Sequence, residues 1–112
     1  TADDMVELVS AASGWPFTVE DFRKSGERIY NLARAYCVRE GIRREHDTLP
    51  RRLMEDPLPD GPARGMVNDR GTMEMMKDTY YALRGWDGAT GIPTPEKLRE
   101  LGLDWLVGDL WG

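Results

Sequence analysis

Apolar residues recur at spacings of three and four along most of the chain, which is the period of a helix with one buried face. No segment alternates between apolar and polar residues as a half-buried β-strand does. Five segments carry helical periodicity or helix-start signals, at about 2–12, 18–40, 47–57, 72–85 and 94–102. The pattern predicts an all-α fold, a compact bundle of about five helices with Pro/Gly-rich connectors, in a single helical domain over 1–112.

Capping residues define where these helices begin. A side-chain oxygen at the cap accepts an N–H of the first turn that has no partner inside the helix. The predicted caps are Thr18, then Asp47 or Thr48, then Thr72 and Thr94. Pro95 strengthens the last of these, because proline is favoured at the first helical position. Gly14, Gly41, Gly85 and Gly102 follow the segments and are expected to end them.

Two apolar stripes are expected to supply much of the core. They are Ile29, Leu32, Ala33 and Tyr36 on the second helix, and Met73, Met76, Tyr80 and Leu83 on the fourth. Leu98, Leu101 and Leu103 should form the apolar side of the last helix. Gly26 lies within the second helix, where it lowers helix stability by about 1 kcal/mol relative to Ala. Close approach of a neighbouring helix is the expected reason for it.

The stretch from Tyr80 to Leu103 predicts a helix, a bend and a second helix. Its glycines supply backbone freedom for the bend, and Trp86 is expected to fill the corner between the two helices. The tail from Leu103 carries six apolar residues in nine positions. Such a tail is either a surface for a partner or a segment that folds back on the domain, and the sequence leaves both open.

Length and charge narrow the possible classes of function. A chain of 112 residues is enough for one domain, with an expected radius of gyration of about 13 Å. The net charge of −5 argues against nucleic acid as the main partner. No apolar run reaches the roughly 20 residues of a membrane span. The lone cysteine indicates a reducing compartment, so a cytoplasmic location is expected.

Cys37 and His46 are the candidates for chemistry. Cys37 could be a nucleophile or a metal ligand, but it lies in the last turn of its helix, where the dipole disfavours a thiolate. Cys37 is therefore expected to be a small hydrophobic side chain buried in the core. His46 could join Cys37 and Asp47 in acyl transfer, although a role in the loop or in capping is expected. One cysteine and one histidine complete neither a four-ligand zinc site nor a four-thiolate cluster, so no catalytic, cofactor-binding or metal residue is predicted.

Three long segments carry a family resemblance. They read GERIYNLARAY, REGIRREHDTLPRRLMEDPLPDGP and YYALRGWDGATGIPTPEKLRELGL, in this order. Together they closely resemble the C-terminal end of the aldehyde ferredoxin oxidoreductase family, over about Gly14 to Leu103. The resemblance implies that the chain is the last part of a large enzyme.

The family resemblance implies tungsten, sometimes molybdenum, held on two pterins beside a 4Fe-4S cluster. Such enzymes oxidise an aldehyde and water to a carboxylic acid and pass two electrons to ferredoxin. Their helical C-terminal domain helps to enclose the cofactor and the substrate channel. The family's fourth cluster cysteine lies in an Asp-x-x-x-Leu-Cys segment upstream of the matching region, so Cys37 matches no ligand.

The expected partners are therefore the upstream domains of the same polypeptide, and ferredoxin for the whole enzyme. This chain is expected to hold no cofactor and to be inactive alone. The alternative is a stand-alone helical interaction module, or a split subunit derived from the family. A weaker alternative makes Cys37 a cluster ligand shared between two chains.

Overall fold

The computed structural model describes residues 1–112 and contains six α-helices. They are α1 (Ala2–Ser13), α2 (Val19–Arg39), α3 (Arg51–Glu55), α4 (Arg70–Arg84), α5 (Pro95–Glu100) and α6 (Val107–Trp111). Two short 3₁₀ turns lie at Arg44–His46 and Asp104–Leu106. The only β-type pairing is an isolated bridge between Trp86 and Pro93. The all-α prediction is confirmed, and no helix is both long and apolar enough to cross a bilayer.

Most of the longer helices begin with a side-chain cap. Thr18 accepts the N–H of Asp21, and the Asp21 carboxylate accepts the N–H of Thr18, which is a capping box at the start of α2. Thr94 accepts the N–H of Lys97 at the start of α5. Both predicted caps are confirmed.

Two predicted caps are wrong. α3 begins at Arg51, so Pro50, which has no side-chain acceptor, occupies the cap position instead of Asp47 or Thr48. The Asp47 carboxylate is bound by Arg34. α4 begins three residues earlier than predicted, with Asp69 rather than Thr72 as its cap. Thr72 is a donor there, since its N–H lies 2.9 Å from an Asp69 carboxylate oxygen.

The main core lies where α2, α5 and the C-terminal tail meet. Its buried members are Ala35, Leu98, Leu101, Leu103 and Leu106, with Val107 and Leu110 packed against them. The Trp111 indole N–H donates to the carbonyl of Pro93 at 2.9 Å. Much of the tail therefore folds back on the chain, which was one of the two possibilities that the sequence left open.

The two predicted core stripes are wrong, because both face outward. Ile29 on α2 is 69% exposed, and Leu83 on α4 is 81% exposed. The buried residues of α2 are instead Asn31, Ala35 and Val38, and those of α4 are Lys77 and Tyr81. Within this chain, α5 and the tail cover only the Ala35 side of α2. Periodicity identifies an apolar face but not what packs against it.

The chain is flat and has a thin core. Its radius of gyration is 18.3 Å, larger than the expected value, and its extents are 53 × 41 × 21 Å. α1 buries no residue, and only 14 of 112 residues are buried. A Cβ atom added at Gly26 would meet nothing within 4 Å, so the expected close approach of a helix is absent within this chain. Much apolar surface thus remains uncovered.

Candidate functional site

The most prominent concave surface is a groove of about 850 Å³ between α2 and α4, and we call it the α2–α4 groove. Nine of its thirteen lining residues are hydrophobic. The helix faces that border it contribute Tyr30, Ala33 and Cys37 from α2, and Met76, Tyr80 and Leu83 from α4. Met76, Tyr80 and Leu83 of the predicted α4 stripe therefore lie on its wall, whereas Ala33 is the only member of the predicted α2 stripe that does.

An aromatic cluster closes one end of the groove. The ring of Trp86 is stacked on Tyr30 at a centroid distance of 6.1 Å, and Tyr80 meets it edge-on at 5.7 Å. The two tyrosine hydroxyls are 3.1 Å apart. The Arg84 guanidinium lies 4.4 Å from the Tyr30 ring centroid and is paired with Glu27. Side chains, rather than close helix packing, thus bridge α2 and α4 here.

Trp86 is held in place from the α2 side. Its indole N–H donates to the Asn31 side-chain oxygen at 2.8 Å. The Asn31 amide donates to the carbonyl of Glu27 at 2.9 Å, so both ends of this fully buried amide are satisfied. A buried polar group without a partner would be destabilising. The prediction that Trp86 fills the corner after α4 agrees with its burial.

The polar floor of the groove is formed by Arg34, Asp47 and Tyr81. Arg34 donates two hydrogen bonds to the Asp47 carboxylate, at 2.8 and 2.6 Å. The Tyr81 hydroxyl donates to the same carboxylate. The remaining Arg34 Nε–H donates to the carbonyl of Gly91 at 2.9 Å, and the guanidinium lies 4.7 Å from the Trp86 ring centroid. Arg34 therefore connects α2 to the loop that contains Asp47 and to the turn after α4.

The pKa values of Asp47 and Tyr81 favour a structural role for these groups over proton transfer near neutral pH. Burial opposes ionisation of Asp47, but the hydrogen bonds from Arg34 and Tyr81 outweigh it and lower the Asp47 pKa. Burial, followed by the hydrogen bond to Asp47, raises the pKa of Tyr81 to about 12. A general acid or base works best with a pKa near the working pH. Neither group meets that condition.

A second charged cluster lies beside the floor. Arg44 pairs with Glu74 and with Asp78, each at 2.6 Å, and donates to the carbonyl of Gly88 at 2.7 Å. Lys77, which is largely buried, pairs with Glu74 at 2.6 Å. These charges are satisfied inside the chain.

The turn between α4 and α5 fits tightly over the floor. The Asp87 carboxylate accepts the N–H of Thr90 at 2.8 Å, which organises the turn. Gly91 has φ +74, and a Cβ atom there would overlap the Arg34 guanidinium and lie 3.1 Å from the Tyr81 hydroxyl oxygen. Only glycine combines this backbone conformation with this close approach.

The candidate residues do not form a catalytic group. Cys37 is exposed on the groove wall, so the expectation that it is buried is wrong. The His46 ring accepts the backbone N–H of Arg43 at 3.0 Å, in agreement with a local role in the loop. Asp47 is engaged by Arg34 and Tyr81, and no hydrogen bond joins it to Cys37 or His46. No three His, Cys, Asp or Glu side chains lie close enough to hold a metal ion.

Sequence reasoning missed the polar floor. Arg34 and Asn31 lie three residues apart on α2, and neither of them is assigned a role from the sequence. An arginine or asparagine on the buried side of a helix needs partners. The partners come from Asp47, Trp86 and Gly91, which are distant in sequence.

Comparison with known proteins identifies relatives over nearly the whole chain. A model of the family described as aldehyde ferredoxin oxidoreductase, domains 2 & 3, matches residues 1–103. The tungsten-containing aldehyde ferredoxin oxidoreductase of Pyrococcus abyssi is 45% identical over 107 residues, which are 95% of this chain and 17% of the relative. The protein of the same name from Pyrococcus furiosus is 45% identical over 103 residues, 91% of this chain and 16% of the relative.

A more distant relative is named for a different activity. The aliphatic sulfonate oxidoreductase, WOR-like subunit, of Pyrococcus furiosus is 32% identical over 108 residues, 90% of this chain and 17% of the relative. The chain thus spans only 16–17% of the length of each of these relatives.

Proposed function

The chain belongs to the aldehyde ferredoxin oxidoreductase family, and from that premise we propose that it is the C-terminal helical part of a tungsten-dependent enzyme. The proposed enzyme oxidises an aldehyde and water to a carboxylic acid and passes the two electrons to ferredoxin. The observation that carries the proposal is the family match over residues 1–103, together with 45% identity to enzymes named for this activity.

Within that enzyme, the role proposed for this chain is to scaffold and enclose the cofactor and substrate site. Two features support a scaffold. The charged side chains of the groove floor, Arg34 and Asp47, are committed to each other. Large apolar side chains such as Ile29 and Leu83 face outward, which leaves surface for upstream domains to cover.

The residues present do not fit the cofactors that the family implies. A 4Fe-4S cluster takes four thiolates, and this chain has one cysteine. No convergent set of His, Cys, Asp or Glu side chains offers a metal site. The tungsten–pterin and the cluster are therefore proposed to be held by the upstream part of the polypeptide, and no step of the reaction is assigned to residues here.

The test compares the 112-residue chain with the polypeptide encoded by the whole gene, both purified without oxygen. Tungsten, molybdenum and iron are measured together with the visible spectrum and aldehyde oxidation. The whole polypeptide is expected to contain tungsten and iron and to oxidise aldehydes with ferredoxin as acceptor. The 112-residue chain is expected to lack metal and activity. Stoichiometric iron in the short chain would show that Cys37 binds a cluster and would overturn the proposed scaffold role.

The alternative of a split subunit or a stand-alone interaction module is favoured by the same outward apolar surface. The sequence of the whole gene distinguishes the enzyme from the split subunit or stand-alone module. A long reading frame with an upstream C-x-x-C-x-x-x-C motif supports the enzyme, whereas start and stop codons bracketing this segment support the module. The proposed location is the cytoplasm, where an exposed thiol such as Cys37 stays reduced.

A further inference from the structure

We propose that the α2–α4 groove is the docking site for a helix of the same polypeptide that lies outside these 112 residues. This inference rests on the proposed function, which makes the chain part of a longer enzyme. It specifies which face of the chain is covered and what kind of segment covers it. The occupant is an amphipathic helix whose apolar face lies in the groove, with contact residues about one helical turn apart.

The uncovered surface around the groove is too extended for a small molecule. Leu83 on one wall and Ile29 beyond the other wall are both well exposed. Met76, on the same wall as Leu83, is 60% exposed. A small ligand would cover part of this wall and leave Ile29 in water, whereas a helix laid along α2 and α4 would cover the wall and Ile29 together.

The charges at the groove exclude a strongly charged partner. Arg34 is paired with Asp47, Arg84 with Glu27, and Lys77 with Glu74. Arg34 and Lys77, the cations that line the groove, are therefore not free to receive a phosphate or an acidic peptide. Burying an unpaired charge of the partner against this wall would cost free energy without a compensating contact. An apolar segment avoids that cost.

The length of the relatives identifies the source of the segment. The chain covers 17% of the Pyrococcus abyssi enzyme, so more than four-fifths of such a polypeptide lies outside it. A covalently linked segment is present at an effective concentration of about millimolar. It therefore outcompetes a second copy of the chain for the groove at ordinary protein concentrations.

Cys37 provides a probe of the groove, because it is exposed on the wall and is the one cysteine in the chain. The whole polypeptide and the 112-residue chain are treated with N-ethylmaleimide, and labelling of the Cys37 peptide is followed by mass spectrometry. Labelling in the whole polypeptide is expected to be slower by at least about tenfold, which corresponds to an opening free energy of about 1.4 kcal/mol. Equal labelling rates would overturn the proposal.

Two variants test whether the groove itself causes the protection. Leu83→Asp places a charge on the groove wall, and Met66→Asp places one at a site that is 65% exposed outside the groove. In the whole polypeptide, Leu83→Asp is expected to restore Cys37 labelling and Met66→Asp is not. If the two variants behave alike, the groove is not the docking site. Circular dichroism of both variants in the 112-residue chain checks that the helices persist.

The proposed function is measured separately on the same preparations. A whole polypeptide with protected Cys37 but without tungsten or aldehyde oxidation would overturn the proposed function and support the docking site. An active tungsten enzyme with freely labelled Cys37 would overturn only the docking site. Protection of Cys37 in the 112-residue chain that grows with its concentration would identify a second copy as the occupant and overturn the inference.

Discussion

Replacing Gly91 with Ala tests the tightest contact in the chain. Gly91 has φ +74, and a Cβ atom there would overlap the Arg34 guanidinium. Gly102 is a matched control, because it has φ +67 and a Cβ atom there would meet nothing within 4 Å. The two substitutions therefore share the backbone penalty and differ only in the collision.

The size of the effect follows from the contacts that must shift. A left-handed conformation costs a residue with a Cβ about 1–2 kcal/mol, which is the whole effect expected for Gly102→Ala. In Gly91→Ala, Arg34 must also move away from the Gly91 carbonyl and from Asp47. A hydrogen bond to a charged group contributes about 1.5–3 kcal/mol. We therefore expect Gly91→Ala to lower the free energy of unfolding by about 2.5–5 kcal/mol.

The assay is urea unfolding of the 112-residue chain and the two variants, followed by circular dichroism and by tryptophan fluorescence. The free energy of unfolding comes from linear extrapolation, and an unchanged slope shows that the unfolded states are comparable. The reasoning is refuted if the two variants lose the same free energy within about 0.5 kcal/mol, the usual effect of a neutral surface change. A second check places Gly91→Ala in an Arg34→Ala background, where the extra loss should largely disappear.

Three further predictions concern single sites. Gly26→Ala should stabilise the 112-residue chain by about 1 kcal/mol in urea unfolding, because the site is helical and open; a loss of stability would show a steric constraint that the structure lacks. Asn31→Ala should destabilise it by about 1–3 kcal/mol and alter the Trp86 fluorescence spectrum, since the buried indole N–H loses its acceptor; an unchanged spectrum and stability would contradict this. Tyr81 has a folded pKa of about 12 against an ordinary value of 10.0, so its protonated form contributes stability that is full below pH 10 and is lost as the pH rises towards 12. The alkaline fall in unfolding free energy should therefore be shallower in Tyr81→Phe, and equal slopes would count against the raised pKa.

Local signals in the sequence were enough to predict the helical class and several helix ends. Thr18 and Thr94 cap their helices as expected, and Gly85 ends α4 in the left-handed conformation. These features depend on hydrogen bonds and backbone preferences within a few residues, so they can be read from neighbours in the chain. The buried leucines Leu98 and Leu101 were predictable for the same reason, since they follow a strong helix start.

The site itself depended on contacts between distant residues. Arg34 meets Asp47, Tyr81 and Gly91 only after the loop and the turn have brought them together. No short-range pattern marks such a network.

The sequence by itself determined which faces of α2 and α4 are apolar, and only the tertiary structure decided that these faces point outward. Helical periodicity records that a face such as that of Ile29 and Tyr36 avoids water, but it does not record what covers the face. Within these 112 residues, α5 and the tail pack on the side of α2 that carries Ala35. The hydrophobic effect is non-directional, so the side that is covered is set by which surfaces the connections bring within reach.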